Sequence, residues 1–419
     1  MSKKTTSPKI KAVSGKTKRF VGAQGLFLAA RAGGVWLLEA DTRKVVGKFK
    51  TADEAFDKAF KTLGSVGGKI ELGAGDFVVT RTVQLPDFCE LCGAGRSTRL
   101  RFKNAQGSAV RISNRKSCSV RDLCLICEPA QAKKTKDGAL SVGVDIENSA
   151  DCRASNLLIK DFAHYGVWLH HGSCLCEINS VKAFNCKRAG FCAQKLERDE
   201  VLGDFVPNLF ANCVVAGGEK GFYLERAIVI NLMGCQVFQT DLYGFHLADL
   251  SNSVALTGCR TFQLDGVAFY AERETSELSL NGNIFCWHRQ EGIVLDKVTW
   301  ASICGNEIID TGCRTADGSL RNAVVLRNGT RGVTFSGNAV FNWSDQCKML
   351  NGIVEDATCT ENVINSNHVN YYEKKAIDSK GKLTRLVGNQ LIARAYQYDP
   401  DKPMPDFDRA KLEKFLREY

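Results

Sequence analysis

Four side chains between positions 225 and 265 could carry out acid and base chemistry, namely Glu225, Asp241, His246 and Asp265. Two carboxyl groups are the usual means of cleaving a glycosidic bond, one as general acid and the other as its partner. A histidine can instead remove a proton from carbon, because its ordinary pKa lies near neutrality. The residue types therefore predict either hydrolysis by Glu225, Asp241 and Asp265, or elimination with His246 or Tyr223 as the base.

Several other side chains could hold a substrate near these four. Aromatic rings pack against sugar rings, and Lys or Arg can neutralise the carboxylate of a uronic acid during proton abstraction. The candidates for substrate binding are Trp168, His170, Lys220, Tyr223, Arg226, Tyr243, Tyr270 and Arg289. Among them Lys220, Arg226 and Arg289 are the candidates for the neutralising cation.

A repeat that begins at a glycine indicates which elements must position these residues. Gly221, Gly244, Gly266 and Gly292 recur at intervals of about two dozen positions, and short segments of alternating apolar residues follow each of them. A period of this size predicts stacked units, and three strands in each period predict one coil of a solenoid. Residues one period apart then become neighbours at about 4.8 Å along the stack.

The alternation after each glycine predicts which side chains face outward. The first residue after the glycine is apolar in six coils and is predicted to point inward: Val167, Phe191, Phe222, Phe245, Val267 and Ile293. Because strand side chains alternate, the second and fourth residues then face outward and form one patch several coils tall. The same register predicts that Phe222, Phe245 and Val267 lie directly above one another.

A second recurring position predicts tight turns that also stack. It is occupied by Asp122, Asn156, Cys213, Cys235, Cys259, Asn283, Asn306, Asn338, Asn367 and Asn389. Stacked asparagines can hydrogen-bond to one another and to the neighbouring backbone, and asparagine tolerates the left-handed conformation that such turns use. A buried cysteine is small enough to replace the amide as an apolar filler.

The glycine bends, the strands and this ladder resemble the right-handed parallel β-helix of the pectate-lyase-like superfamily. The segment Gly67 to Gly95 is similar to the opening segment of phage tailspikes with β-helix bodies. The resemblance implies an all-β fold of about 10–12 coils. It implies no particular activity, because the superfamily hosts many chemistries and the motifs of its polygalacturonase and alginate epimerase branches are not found here.

The segments outside the repeat divide the chain further. We predict a basic tail at 1–20, a hairpin and a capping helix at 21–66, the β-helix at 67–398 and a C-terminal helix at 399–419. Thr51 and Glu54 have the spacing of a helix capping box. Insertions at 131–138, 195–207 and 311–322 are expected to line a groove.

Charge and cysteine content limit the partners and the compartment. The net charge of +10 favours anionic partners, such as an acidic polysaccharide or a surface glycan. Seven of the basic residues lie in the first 19 positions, which contain no acidic residue. No export signal or membrane span is recognised, so we expect cytoplasmic synthesis with the 18 cysteines reduced. The same charge would suit nucleic acid or a membrane surface, but no interleaved aromatic and basic motif supports nucleic acid binding, which stays a third and less favoured option.

No metal or cofactor is predicted. The pairs Cys89/Cys92 and Cys124/Cys127 are too far apart in sequence for a zinc ribbon, and residues i and i+3 of a strand face opposite ways. His170 and His171 are adjacent, so on a strand their rings are expected to diverge.

Two functions remain open from the sequence. The leading one is a carbohydrate-active protein that binds and cleaves an acidic polysaccharide as a lyase or a glycoside hydrolase. The alternative is a non-catalytic spike or fibre protein of a virus or phage, which is virion-associated, recognises a surface glycan and forms a homotrimer.

Overall fold

The chain folds as a right-handed parallel β-helix, with three strands in each coil. The computed structural model describes residues 25–104, 106–128, 140–196, 207–313, 318–343, 347 and 349–392. The predicted tail at 1–20, the C-terminal helix at 399–419 and the insertion at 131–138 lie outside these residues, as do positions 197–206 and 314–317 of the other two insertions. No described helix is long and apolar enough to cross a membrane.

The strands stack into three faces. The glycine-led face contains Val83–Gln84, Gly107–Ser113, Ser141–Glu147, Tyr165–His170, Ala189–Leu196, Tyr243–Ala248, Val267–Glu272, Ile293–Asp296, Val324–Arg327, Met349–Glu355 and Tyr372–Ser379. The second face contains Gly68–Leu72, Cys89–Cys92, Glu177–Asn179, Asn208–Ala211, Asn252–Thr257, Ser276–Asn281, Thr299–Cys304, Arg331–Ser336, Val363–Asn365 and Arg385–Val387. The third face contains Gly75–Val79, Thr98–Phe102, Lys182–Phe184, Val214–Ala216, Gln236–Phe238, Arg260–Leu264, Ile284–His288, Glu307–Thr311, Ala339–Phe341, His368–Asn370 and Gln390–Ile392.

Three long strands turn a corner and belong to two faces. Ser119–Cys127 and Arg153–Lys160 run from the second face into the third, and Lys220–Met233 runs from the glycine-led face into the second. The corner residues have left-handed backbone angles, with φ of 57° at Asp122 and 50° at Arg226. A continuous strand can therefore bend around the column without losing its hydrogen bonds to the neighbouring coils.

The N-terminal end carries a hairpin and one helix. Gly25–Arg31, Gly34–Glu39 and Val45–Phe49 pair antiparallel, and the first of them also pairs in parallel with Gly68–Leu72. The helix Ala52–Leu63 follows and packs against these strands.

The helix begins at the predicted cap. The Thr51 hydroxyl accepts a hydrogen bond from the Glu54 backbone N–H at 3.3 Å. Ala55, Phe56 and Ala59 are buried against the first coils, so the apolar stripe of this helix covers the end of the core. Two short 3₁₀ turns, Gly64–Val66 and Gly95–Ser97, lie in this part of the chain.

Phenylalanine rings form a continuous column inside the glycine-led face. Phe191 stacks on Phe222 with ring centroids 4.8 Å apart, and Phe222 stacks on Phe245 at 5.1 Å. All three side chains are fully buried. The spacing matches one coil, which confirms the inward register that the sequence predicted for these positions.

The predicted register is wrong in the coil that starts at Gly266. Phe245 pairs with Phe269, whereas Val267 pairs with Tyr243. Gly266 itself lies at a corner, where a Cβ would approach the Leu242 carbonyl oxygen to 1.8 Å. This glycine is required by a close backbone approach and does not occupy the position that Gly244 has in the preceding coil.

The turn ladder is confirmed from Asn283 to Asn389, and the prediction is wrong by one residue at Asp122 and Asn156. Asn306 Nδ2 donates to Asn338 Oδ1 at 2.9 Å, and the same contact recurs through Asn367 and Asn389. Asp122 and Asn156 are instead the left-handed residues that precede this position, and Leu123 and Leu157 occupy the buried place. In the first coils a leucine side chain therefore occupies the buried place that an asparagine amide has in the later coils.

The expectation that every cysteine is reduced is wrong for one pair. Cys313 and Cys347 form a disulfide. The other sixteen cysteines are free thiols, and all but Cys286 and Cys304 are buried. Cys89, Cys92, Cys124 and Cys127 are among the buried ones, so both CxxC pairs serve as packing residues.

Candidate functional site

Two outward columns run along the glycine-led face. The ring column contains, in successive coils, Asp145, Trp168, Cys192, Tyr223, His246, Tyr270 and Val294. The carboxylate column begins with Glu147, His170, Gln194, Glu225 and Ala248, and continues with Glu272, Asp296 and Arg327. The residues between the two columns, such as Leu224 and Leu247, are in the core, so the column side chains point away from it.

His246 lies at the centre of the ring column. Its Nε2 is 2.9 Å from Glu272 Oε1, and its ring lies 4.4 Å from the ring of Tyr243 and 5.3 Å from that of Tyr270. Burial and the charge of Lys220 lower the pKa of His246 to about 4, although Glu272 opposes this shift. Its Nδ1 is buried without a hydrogen-bond partner among the described residues. His246 is therefore a neutral imidazole at ordinary pH.

Lys220 brings a cation onto the same rings. Its Nζ lies 3.9 Å from the centre of the Tyr223 ring. The same nitrogen lies 5.8 Å from the centre of the Tyr243 ring. Both are cation–π distances. Burial lowers the pKa of Lys220, and the nearby Arg188 adds to the effect. The ammonium group is thus held in a partly dry environment, where an anion would be bound strongly.

The pKa values of the tyrosines in this site are raised, whereas those of His246 and Lys220 are lowered. Burial, with contributions from Glu225, raises the pKa of Tyr223. Burial and Glu272 raise the pKa of Tyr243 and raise that of Tyr270 to about 12. These hydroxyl groups keep their protons at neutral pH, so they can donate hydrogen bonds or protons next to an imidazole that can accept them.

The faces of the tyrosine rings are occupied by neighbours. Tyr243 and Tyr270 stack on each other at 5.2 Å with their planes 11° apart, and the guanidinium of Arg327 lies 6.0 Å from the centre of the Tyr270 ring. These neighbours cover part of the ring faces that the sequence suggested for stacking on a sugar.

Glu272 and Asp296 form a pair of carboxylates, of which the sequence register placed only Asp296 on the outward face. The Tyr270 hydroxyl oxygen lies 3.3 Å from Glu272 Oε2 and 3.3 Å from Asp296 Oδ2. Arg327 Nε donates to Asp296 Oδ2 at 2.7 Å, and Asn328 Nδ2 donates to Asp296 Oδ1 at 2.8 Å. The sequence could have revealed this pair through Phe269. If Phe269, and not Val267, is aligned with Phe245, Tyr270 lies next to His246 and Glu272 falls in the carboxylate column.

Glu225 lies further along the carboxylate column. Gln194 Nε2 donates to Glu225 Oε2, and Trp168 Nε1 donates to Gln194 Oε1 at 2.9 Å. Trp168 stacks on His170 with ring centroids 3.8 Å apart. The structure thus brings Trp168, His170, Tyr223 and Glu225 together on one face, as predicted.

Three predicted residues stack at a corner that precedes the glycine-led strands. Asp241 N donates to the Gly218 carbonyl and Asp265 N to the Thr240 carbonyl, which places the two aspartates in adjacent coils. Arg289 Nε lies 3.3 Å from Asp265 Oδ1. Asp241, Asp265 and Arg289 are therefore outside the two columns, and their catalytic or binding roles remain predictions.

Arg226 lies at the other end of the strand. It follows Glu225 directly and is exposed at the corner where Lys220–Met233 turns into the second face. Its position allows contact with a ligand that extends beyond the carboxylate column, which also remains a prediction.

Comparison with known proteins bears on the fold. No protein-family model matches the sequence, and no curated protein matches it. The structure is similar to the A-module of the mannuronan C-5 epimerase AlgE6 of Azotobacter vinelandii, with a TM-score of 0.66 and 15% identity over 82% of this chain and 94% of that chain.

Two further solved structures show the range of proteins that share this architecture. The catalytic unit of the GH87 alpha-1,3-glucanase of Streptomyces thermodiastaticus has a TM-score of 0.60 and 10% identity over 84% of this chain and 68% of that one. The Dettilon tailspike protein has a TM-score of 0.54 and 14% identity over 82% of this chain and 64% of that one. This chain is thus a right-handed parallel β-helix similar to an epimerase module, a glucanase and a tailspike.

Proposed function

We propose that the protein binds an acidic polysaccharide along the glycine-led face and cleaves it by β-elimination at a uronic acid residue. The observation that carries this proposal is the arrangement of His246 among three tyrosines and Lys220. Burial makes the imidazole a neutral proton acceptor and keeps the phenol groups protonated. One site therefore contains both the base and the acid that elimination needs.

In the proposed reaction His246 removes the proton at C5 of the uronate with Nδ1, because Nε2 faces Glu272. Substrate binding must expose this buried nitrogen. The electron pair forms the C4–C5 double bond, the C4–O4 bond breaks, and the leaving oxygen receives a proton from a tyrosine hydroxyl, for which Tyr270 is our candidate. Lys220 and Arg327 neutralise the carboxylate, which makes the C5 proton more acidic. No water is consumed, and the product carries a double bond at its new non-reducing end.

Hydrolysis is the second candidate, and the pair Glu272 and Asp296 favours it. Both carboxylates lie 3.3 Å from the same Tyr270 hydroxyl, so the two oxygens are separated by at most twice that distance. Retaining glycosidases place their carboxyl groups about 5–5.5 Å apart, which this geometry permits. In that case water is consumed and the product is saturated.

The experiment that tests the proposal measures two signals of cleavage in one digest. Polymers of different uronic acids and a neutral glucan are incubated with the protein, and new reducing ends and the ultraviolet absorbance of a C4–C5 double bond are followed together. We expect both signals from a uronate polymer and neither from the neutral glucan. Reducing ends without a double bond would overturn elimination in favour of hydrolysis.

Matched variants locate the chemistry. Tyr270→Phe removes one hydroxyl and should lower turnover about 10²–10⁴-fold, the usual contribution of general acid–base catalysis. His246→Asn should do the same, while His368→Asn, an exposed histidine in the last coils, should leave turnover unchanged. Full activity in both site variants would remove these roles.

A protein that binds the polymer without any product would instead support the spike or fibre interpretation. That interpretation also predicts a homotrimer, which a light-scattering mass measures directly. A monomer without turnover would contradict both the enzyme and the trimeric spike.

A further inference from the structure

A cluster of two histidines and a glutamate lies on the glycine-led face, outside the proposed catalytic centre. Glu147, His170 and His171 each offer one ligand atom, and these atoms lie within 4.8 Å of one another. The strand of His170 is three coil steps from the strand of His246. Each step along the column is about 4.8 Å. The cluster therefore lies in the carboxylate column, about three coils from the His246 centre.

Backbone geometry makes the two adjacent histidines converge. His171 has a left-handed φ of 50°, because the chain turns a corner there. The two imidazole rings meet with centroids 4.7 Å apart, and His170 Nδ1 contacts His171 Nδ1 directly. Neighbouring residues of a regular strand would point to opposite faces, so the expectation that these rings diverge is wrong at this corner.

Asp145 determines which nitrogen of His170 can bind an ion. Asp145 Oδ1 lies 2.8 Å from His170 Nε2, and its Oδ2 accepts a hydrogen bond from Ser108 at 2.9 Å. Asp145 and His170 are both almost fully buried. The proton of this imidazole therefore belongs on Nε2, and the lone pair of Nδ1 points into the cluster. A carboxylate that orients a histidine in this way is typical of metal sites in proteins.

Glu147 is prepared to act as the third ligand. Its Oε2 accepts a hydrogen bond from Ser113 at 2.6 Å and is 2.5 Å from Arg111 Nη2. Both contacts are made by Oε2, so Oε1 is the oxygen that we assign to an ion.

We propose that Glu147, His170 and His171 bind one divalent transition-metal ion, for which zinc is the best candidate. Two imidazole nitrogens and one carboxylate oxygen are the ligand set of zinc sites that keep a fourth position open for water or substrate. Zinc–nitrogen bonds of about 2.0–2.1 Å require the two Nδ1 atoms to move apart to about 3 Å. His171 is exposed, so its ring can make this adjustment. The cluster reaches solvent through His171, which is exposed, and Glu147, which is half-buried.

The first measurement is metal binding to the full-length protein, using Zn²⁺ alone after treatment with a chelator. We expect one ion per chain by titration calorimetry. Glu147→Gln and His171→Ala should each weaken binding at least 10-fold, and Asp145→Asn should weaken it about 10–100-fold through the orientation of His170. His368→Ala is the matched control and should bind zinc as the unaltered protein does.

The second measurement distinguishes this site from the sixteen free thiols. Co²⁺ bound by thiolates gives intense near-ultraviolet bands, whereas Co²⁺ bound by nitrogen and oxygen gives only visible bands. We expect the visible bands alone, and their loss in His171→Ala. His171 is at the surface, so this variant should keep the β-sheet circular dichroism even if His170→Ala does not fold. The proposal is overturned if no ion binds, if the bands come from thiolate, or if His171→Ala binds unchanged.

Discussion

Asn306→Ala tests the asparagine ladder, on which the stacking of the central coils depends. Asn306 Oδ1 accepts hydrogen bonds from Asn283 N at 3.0 Å and from Asn283 Nδ2 at 2.9 Å. Asn306 Nδ2 donates to the Leu280 carbonyl and to Asn338 Oδ1, each at 2.9 Å. All three asparagines are at most 1% exposed, so water cannot replace the lost partners.

The expected destabilisation follows from the number of groups that lose a partner. Alanine leaves the buried backbone N–H of Asn283 without its partner, and it removes one contact each from the Leu280 carbonyl and from Asn338 Oδ1. At about 1–1.5 kcal/mol for each lost contact, the free energy of unfolding should fall by about 2–4 kcal/mol. A small cavity at position 306 adds to this loss.

Urea denaturation followed by circular dichroism measures the change, and hydrogen exchange at the amide of Asn283 locates it. Asn281→Ala is the control, because Asn281 is exposed and its side-chain amide donates a hydrogen bond to Ser279 on the same strand. We expect less than about 0.5 kcal/mol from this surface change. A loss below about 1 kcal/mol in Asn306→Ala, with unchanged exchange at Asn283, would refute the claim that the ladder stabilises the stack.

Three further outcomes are expected. Burial lowers the pKa of His288 to about 3. Its contribution to folding is therefore complete above the ordinary value near 6.5 and is lost as pH falls from there toward the lowered pKa. His288→Gln should reduce the acid sensitivity of unfolding, measured by urea at pH 7 and pH 5, by up to about 1.36 kcal/mol per pH unit. Gly221→Ala places a Cβ 2.4 Å from the Gly244 carbonyl oxygen, whereas the space at Gly258 is open. The first change should destabilise the fold by about 3 kcal/mol and Gly258→Ala by about 1 kcal/mol in the same assay. If His246 is the base, kcat/KM on a uronate polymer should fall as pH decreases toward about 4, and a rate that rises on acidification would contradict its role.

Much of the architecture could be predicted because the residues that point inward are apolar in coil after coil. Phe191, Phe222 and Phe245 follow glycines at regular spacing, and their rings do stack in the core. The same rule failed at Gly266, because glycine has two uses in these coils. One admits a close approach between strands and the other relieves a corner, and the spacing between glycines does not distinguish them.

The candidate site was predicted only in part for the same reason. His246, Tyr223 and Lys220 were placed on one face, but the register error moved Glu272 out of consideration. The convergence of His170 and His171 was missed because a corner with positive φ cannot be recognised from strand alternation alone. Strand register and corners therefore both determine which polar groups meet on this face.

Because the coils are stacked in a single column, the number of coils can change by insertion or deletion. A coil touches the coil before it and the coil after it, so duplicating or deleting a whole coil preserves nearly every contact on either side. The distance between the histidine cluster and the tyrosine site would then alter in discrete increments of about 4.8 Å. Gain or loss of one coil would therefore change the spacing between these two groups of side chains by a fixed increment without altering either group.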